Sequence, residues 1–75
     1  MKSQTFDVRG EFIQLDQLLK VTGLAPSGGA AHATITAGEV RVDGVVETRK
    51  RAKLRDGQRV QLGDVEIVLR GAPPT

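Results

Sequence analysis

The sequence contains no cysteine, tryptophan or tyrosine, two phenylalanines and one histidine. Without cysteine the chain can form neither a disulfide framework nor a thiolate metal site, and a single histidine cannot build a histidine metal cluster. No apolar run reaches the roughly 18–20 residues that a membrane-spanning helix needs. The polar residues 1–5 do not lead into the apolar stretch of a signal peptide. We therefore expect a soluble cytoplasmic protein with no metal, no cofactor and no membrane partner.

Charge is distributed unevenly along this chain of 75 residues, which has room for one domain with one small core. Residues 49–59, called the basic segment below, hold six basic side chains and one acid, a net charge of +5 against −3 for the rest of the chain. A basic patch on a weakly acidic body favours an anionic partner, most often nucleic acid. The alternative at this point is a solvated charged loop.

Two short helices are predicted in the first half of the chain. Leucines at positions 15, 18 and 19 have the spacing of one helix face and predict a helix over residues 15–22. Ser27 is a suitable N-cap for a second helix over residues 28–37. Glycine, threonine and alanine dominate that second helix, so its intrinsic helix propensity is weak.

The second half of the chain predicts strands joined by tight turns. Asp43 and Gly44 lie between two valine-rich runs, which is typical of a two-residue hairpin turn. Alternating residues predict further strands at 59–62 and 65–69, and a short first strand at 6–8. Helices followed by hairpins predict an α+β fold, with two short helices packed on a small antiparallel sheet. We expect order over about residues 5–70 and flexible ends.

Residues 15–44 carry an ordered set of motifs that resembles the S-four-type RNA-binding domain, also called the alpha-L motif. The family pattern begins Leu-Asp-x-Leu-Leu, present at 15–19, and continues with a serine and an alanine-containing helix, present as Ser27 and Ala31. It ends Ile-x-x-Gly-x-Val-x-Val-Asn/Asp-Gly, present at 35–44. The stretch that follows resembles the small stand-alone bacterial branch of YbcJ-like proteins, and the resemblance covers about residues 12–69.

The resemblance implies a non-catalytic RNA-binding module that acts as a monomer and has no small-molecule substrate. Phe6 and Phe12 lie in apolar contexts, and we assign both to the core. Aromatic platforms for base stacking are then scarce, so recognition should use phosphates, sugar hydroxyls and shape. The expected partner is structured RNA, either ribosomal or transfer RNA.

The basic segment supplies the main candidate RNA-binding residues. If residues 48–55 are extended, alternate side chains share one side of the chain, so that a row of cations can follow a phosphate backbone while Ala52 and Leu54 pack inward. Arginine also binds phosphate through its two-pronged guanidinium. The candidates are Arg49, Lys50, Arg51, Lys53 and Arg55.

Secondary candidates lie outside the basic segment. Family members usually place lysine or arginine on the second helix, whereas this chain has Gly28, Gly29 and Ala30, followed after Ala31 by His32. The resemblance therefore shifts phosphate binding towards the basic segment. Exposed N–H groups at a helix start attract anions, although a simple helix cap is the alternative there. The secondary candidates are Ser27, Gly28, Gly29, His32 and Arg41, the last on the outer side of a strand.

Two other functions are compatible with the sequence. A β-grasp sulfur-carrier protein has a similar length and strand content, but such carriers end in Gly-Gly, whereas only Gly71 lies near this C-terminus. An adaptor that docks on an acidic protein partner would use the same basic segment. Binding to purified RNA without other proteins distinguishes these functions from RNA recognition.

Overall fold

The structure is a computed structural model that describes residues 2–71, and it contains two sheets and two helices within that range. This confirms the α+β class. In chain order the elements are β1 (Lys2–Val8), β2 (Ile13–Gln14), α1 (Leu15–Val21), α2 (Gly28–Thr36), β3 (Val40–Val42), β4 (Val45–Val46), β5 (Lys53–Leu54), β6 (Arg59–Leu62) and β7 (Val65–Gly71).

The larger sheet is mixed, which corrects the predicted antiparallel sheet. Its strand order is β1-β7-β6-β3-β4, and β1 runs parallel to β7 from the Lys2–Val65 pair to the Val8–Gly71 pair. The other three strand pairs of this sheet are antiparallel: the predicted hairpins β3–β4 and β6–β7, and the pair β3–β6 that joins them. Pairing with β7 also extends β1 back to Lys2, so residues 2–4 belong to the sheet instead of to a loose end. The predicted flexible C-terminal residues 72–75 lie outside the described residues.

Both predicted helices are present, each one residue shorter than expected. Thr22 is the C-cap of α1, and its hydroxyl donates to the Leu18 carbonyl at 2.7 Å. Ser27 is the N-cap of α2, as predicted, and its hydroxyl oxygen accepts a hydrogen bond from the Ala30 N–H at 3.1 Å. Of the helices in residues 2–71, neither is long and apolar enough to cross a membrane.

One apolar cluster joins the helices to both sheets. The buried faces of α1 and α2 meet buried strand residues, and full burial of such a side chain contributes about 1.5–3 kcal/mol. Ala52 and Leu54 of the basic segment also belong to the cluster, as the sequence predicts. The buried members are Val8, Leu15, Leu18, Leu19, Ala25, Ala31, Ile35, Val40, Ala52, Leu54, Val60, Ile67 and Leu69.

The hairpin turn between β3 and β4 has the predicted geometry. Asp43 and Gly44 both have positive φ, 52° and 83°, as a twist-matched two-residue turn requires. The Asp43 carboxylate also accepts the Arg59 N–H at 2.9 Å, so the turn holds the start of β6. The turn therefore depends on a backbone conformation that residues with a Cβ adopt at a cost.

A matched pair of glycine-to-alanine substitutions tests these backbone assignments. Open space surrounds a Cβ built on Gly44, so Gly44→Ala meets only backbone strain and should destabilise the fold by about 1–2 kcal/mol. Gly29 lies in α2, where alanine is the better helix former, so Gly29→Ala should stabilise the fold by up to about 1 kcal/mol. Chemical denaturation measures both changes. If both variants changed the free energy of unfolding in the same direction, the backbone conformation assigned to Gly44 or to Gly29 would be wrong.

Candidate nucleic-acid interface

The smaller sheet places the basic segment against the start of α1. Its strands β2 and β5 are antiparallel, with Ile13 opposite Leu54 and Gln14 opposite Lys53. Two-residue strands show no alternation that the sequence could reveal, and neither was predicted. This sheet is nevertheless what brings the basic segment next to the chain that precedes α1.

Two backbone hydrogen bonds anchor the basic segment to α1. The first N–H groups of a helix have no partner within the helix, and Gln14, the N-cap of α1, forms no side-chain cap. The Leu15 N–H instead donates to the Ala52 carbonyl and the Asp16 N–H to the Lys50 carbonyl, both at 3.0 Å. The same two bonds satisfy the helix start and fix the path of the segment.

The basic segment bends instead of running extended from residue 48 to residue 55, which corrects the prediction. The Ala52 N–H donates to the Arg49 carbonyl at 3.3 Å, and a turn occupies residues 50–51. The N–H groups of a helix start point along the helix axis, so the segment must turn to bring two carbonyls in front of them. Only residues 53–54 keep the extended form.

The alternate cations still share one surface. Arg49, Arg51, Lys53 and Arg55 are exposed and line one shallow depression, called the cationic concavity below, with Ala52 at its base. Lys50 is exposed in the turn beside it. The five main candidates are therefore brought together by a bent segment with its two apolar side chains turned inward.

Arg49 is the one member of the cationic concavity with a carboxylate partner in the described residues. Its Nη2 lies 2.7 Å from Oε1 of Glu47, and its backbone N–H donates to Oε2 at 3.3 Å. The Arg49 side chain is 79% exposed and that of Glu47 only 18%. Hydrogen bonds from the Arg49 side chain lower the pKa of Glu47, against a smaller opposing effect of burial, and they raise the pKa of Arg49. The Arg49 charge is thus partly compensated before any ligand arrives.

Phe12 lies beside the cationic concavity and not in the core, which corrects its assignment. Lys53 Nζ is 5.0 Å and Arg55 Cζ 5.8 Å from the centroid of its ring. Continuing the β2–β5 register by one residue places Phe12 opposite Arg55, on the side away from Ile13, which packs against the core. Phe6 does pack against the core, as predicted.

His32 forms a contact between the helices that the sequence did not predict. Its Nε2 lies 2.9 Å from Oδ2 of Asp16; the two side chains are 36% and 14% exposed. This separation is a hydrogen-bond distance, so the two side chains link α1 to α2. The two residues are 16 positions apart in the chain, so only the packing of α1 against α2 brings them together.

Three of the remaining secondary candidates, Ser27, Gly28 and Gly29, begin α2 and do not line the cationic concavity. Within α2, His32 contacts Asp16, whose N–H donates to the Lys50 carbonyl of the basic segment. Ala30, the next residue of α2, is half-buried and packs against the core.

Arg41 is separate from the cationic concavity. It lies in β3 opposite Gln61 and borders another depression with Glu39. It does not pair with Glu47, whose carboxylate binds Arg49.

A larger surface pocket of about 680 Å³ lies next to the cationic concavity, because Lys53 and Arg55 of the concavity lie over the ring of Phe12, which lines the pocket. Its wall contains two aromatic rings, one isoleucine, two glutamine amides, one arginine and one aspartate. They all lie within residues 6–17 but belong to β1, the following loop, β2 and α1, so only the folded chain arranges them around one space. These residues are Phe6, Asp7, Arg9, Phe12, Ile13, Gln14 and Gln17.

Known proteins resemble this chain in sequence and in fold. The profile of the S4 domain family matches residues 6–70. "Putative RNA-binding protein YbcJ" of Escherichia coli (strain K12) is 50% identical over 58 residues, covering 75% of this chain and 83% of that protein. "Uncharacterized protein YbcJ" of Shigella flexneri has the same identity and coverage. The solution structure of YbcJ from E. coli, described as revealing an alfaL motif involved in RNA-binding, superposes with a TM-score of 0.64 at 42% identity, covering 85% of each chain.

The ion pair of Arg49 and Glu47 predicts a pH dependence. Because folding lowers the pKa of Glu47 from its ordinary value of 4.5, the pair stabilises the fold above that pH, and the contribution is lost as pH falls below it. Arg49→Gln should raise the pKa of Glu47, measured by NMR titration of its carboxyl carbon. Arg51→Gln removes the same charge without that hydrogen bond and serves as the control. Equal shifts in the two variants would show that general charge, and not the direct contact, lowers the pKa.

Proposed function

The chain belongs to the S4 domain family, and from this membership and the geometry of its surface we propose that it binds RNA through the cationic concavity without catalysing a reaction. The name of the E. coli relative and the description of its solution structure both refer to RNA binding. The family assignment leaves the sulfur-carrier alternative without support.

The observation that carries the proposal is a set of exposed cations on an anchored backbone. Arg51, Lys53 and Arg55 have no carboxylate partner among the described residues and line one depression. Their backbone is tied to the start of α1, so the backbone loses little conformational entropy when a phosphate binds. Guanidinium groups suit phosphate oxygens because they donate two parallel hydrogen bonds.

The other candidates take graded roles in this proposal. Lys50 contacts phosphates from the turn, and Arg49 does so after exchanging Glu47 for RNA. Gly28 and Gly29 contribute backbone N–H groups, whereas the side chains of Ser27 and His32 shape α2. Arg41 contributes long-range attraction from β3.

The proposed ligand is structured RNA, ribosomal or transfer RNA, recognised by one copy of the chain. Bases in an RNA helix are hard to reach through its deep major groove, so proteins read such RNA by phosphates, 2′-hydroxyl groups and shape. A small fixed set of cations fits that mode of recognition.

Salt dependence tests the proposal. Log K for a structured RNA should fall linearly with log salt, and Arg51→Gln should weaken binding and make the slope shallower by slightly less than one unit. Arg41→Gln removes the same charge away from the cationic concavity and should change both quantities less. Fluorescence anisotropy measures them. If the folded protein failed to bind purified RNA, the adaptor function would replace this proposal; equal losses in the two variants would refute the position of the site.

Releasing Arg49 should strengthen binding. Glu47→Gln removes the carboxylate that holds the Arg49 guanidinium, so affinity for the same RNA should rise and its salt dependence should steepen. Glu39→Gln removes one negative charge next to Arg41 and is the matched control. A gain no larger than that of Glu39→Gln would show that Arg49 makes no phosphate contact of its own.

A further inference from the structure

We propose that the pocket beside Phe12 receives one unstacked RNA base while the phosphate of the same nucleotide sits on Lys53 and Arg55. The inference rests on the proposed RNA-binding function and goes further by naming the structural class of the RNA: a helix interrupted by an unpaired nucleotide.

The Phe12 ring is placed to stack. It is half-buried at the surface just before β2, outside the core cluster, in a chain with only two phenylalanines. Lys53 and Arg55 lie over it at cation–π distances, which orients the ring and brings positive charge to it. An aromatic ring flanked by cations is the arrangement that single-stranded nucleic acids use for stacking and phosphate contact.

The pocket has the size and chemistry for a base. Its volume of about 680 Å³ lies within the range of roughly 300–1,000 Å³ that is usual for small-ligand pockets. Phe6 and Ile13 add apolar surface, while Gln14 and Gln17 bring amides that both donate and accept hydrogen bonds. The edge of an extruded base presents donors and acceptors to match.

The charge of the cationic concavity continues to the rim of the pocket. Lys53 and Arg55 line the concavity and also lie over Phe12, which lines the pocket. Gln14, in the pocket wall, is the register partner of Lys53. A base on the ring and a phosphate at Lys53 Nζ, 5.0 Å from the ring centroid, therefore belong to one nucleotide.

This geometry selects among structured RNAs. A base paired within a helix has both faces stacked on its neighbours and cannot stack on a side chain. The nucleotide in the pocket must therefore come from a bulge, a loop or an end. The phosphates of the adjoining helix then remain for Arg51 and its neighbours.

Two RNA duplexes that differ only in one base test the inference. One carries a single bulged adenosine, and the other carries an abasic residue at the same position, so that the number of phosphates is equal. The protein should bind the bulged adenosine about 5- to 100-fold more tightly, the range expected for stacking of one base on an aromatic ring. Ring protons of Phe12 should shift upfield in the NMR spectrum on addition of the bulged duplex only.

Substitutions at the ring separate stacking from charge. Phe12→Leu should abolish the preference for the bulged adenosine and leave the salt slope unchanged, because no cation is lost; Phe12→Tyr should retain the preference. If Phe12→Leu fails to fold, Gln17→Ala, an exposed change on α1 at the pocket wall, should reduce the preference instead. Val21→Ala, a change at another exposed position of α1, is the control and should have no effect.

The possible failures are distinguishable. If neither duplex bound, the proposed function itself would be wrong. If both bound with equal affinity and the usual salt dependence, or if Phe12→Leu kept the preference, RNA binding would stand and the base pocket would be refuted.

Discussion

The fold and the candidate site depend on one shared constraint, the unsatisfied N–H groups at the start of α1. The Gln14 side chain does not cap this helix. Asp16 accepts the Gln17 N–H at 2.8 Å, and the carbonyls of Ala52 and Lys50 accept the Leu15 and Asp16 N–H groups. Because buried or half-buried amides without partners are costly, the basic segment cannot leave α1 without exposing the helix start. The basic segment carries most of the positive charge and lies at the surface, and these backbone hydrogen bonds fix its position.

The cations of this surface repel one another, and neighbouring side chains reduce that repulsion. Glu47 compensates Arg49, and the electron-rich face of Phe12 attracts Lys53 and Arg55. Burial of Ala52 and Leu54 supplies the apolar contribution that keeps the backbone in place. The surface is therefore positive, and the backbone that carries its cations is already fixed when a phosphate binds.

Local signals predicted much of the fold, and non-local pairing accounts for most of the errors. The leucine spacing of α1, the Ser27 cap and the Asp43–Gly44 turn depend on neighbouring residues, and all three are confirmed. The β2–β5 pair joins residues about forty positions apart, and the His32–Asp16 contact requires two packed helices. The bend of the basic segment follows from its hydrogen bonds to the start of α1, and the place of Phe12 follows from the β2–β5 pair. The five main candidates were proposed because charge is visible in composition, whereas the pocket beside them depends on how residues 6–17 fold around one space.

The parallel pairing of β1 with β7 has a consequence for how the chain is made. Each pair in this register joins residues 63 positions apart, since Lys2 lies opposite Val65 and Val8 opposite Gly71. Contacts of such high contact order close a long loop and form slowly. During synthesis β1 precedes β7 and has no partner until β7 has left the ribosome, so the core residues Val8, Ile67 and Leu69 come together only after β7 has been made. We expect a nascent chain in which the helices and the β3–β4 hairpin have formed while β1 is still unpaired. A chaperone would bind this intermediate, because an unpaired strand exposes its backbone hydrogen-bonding groups.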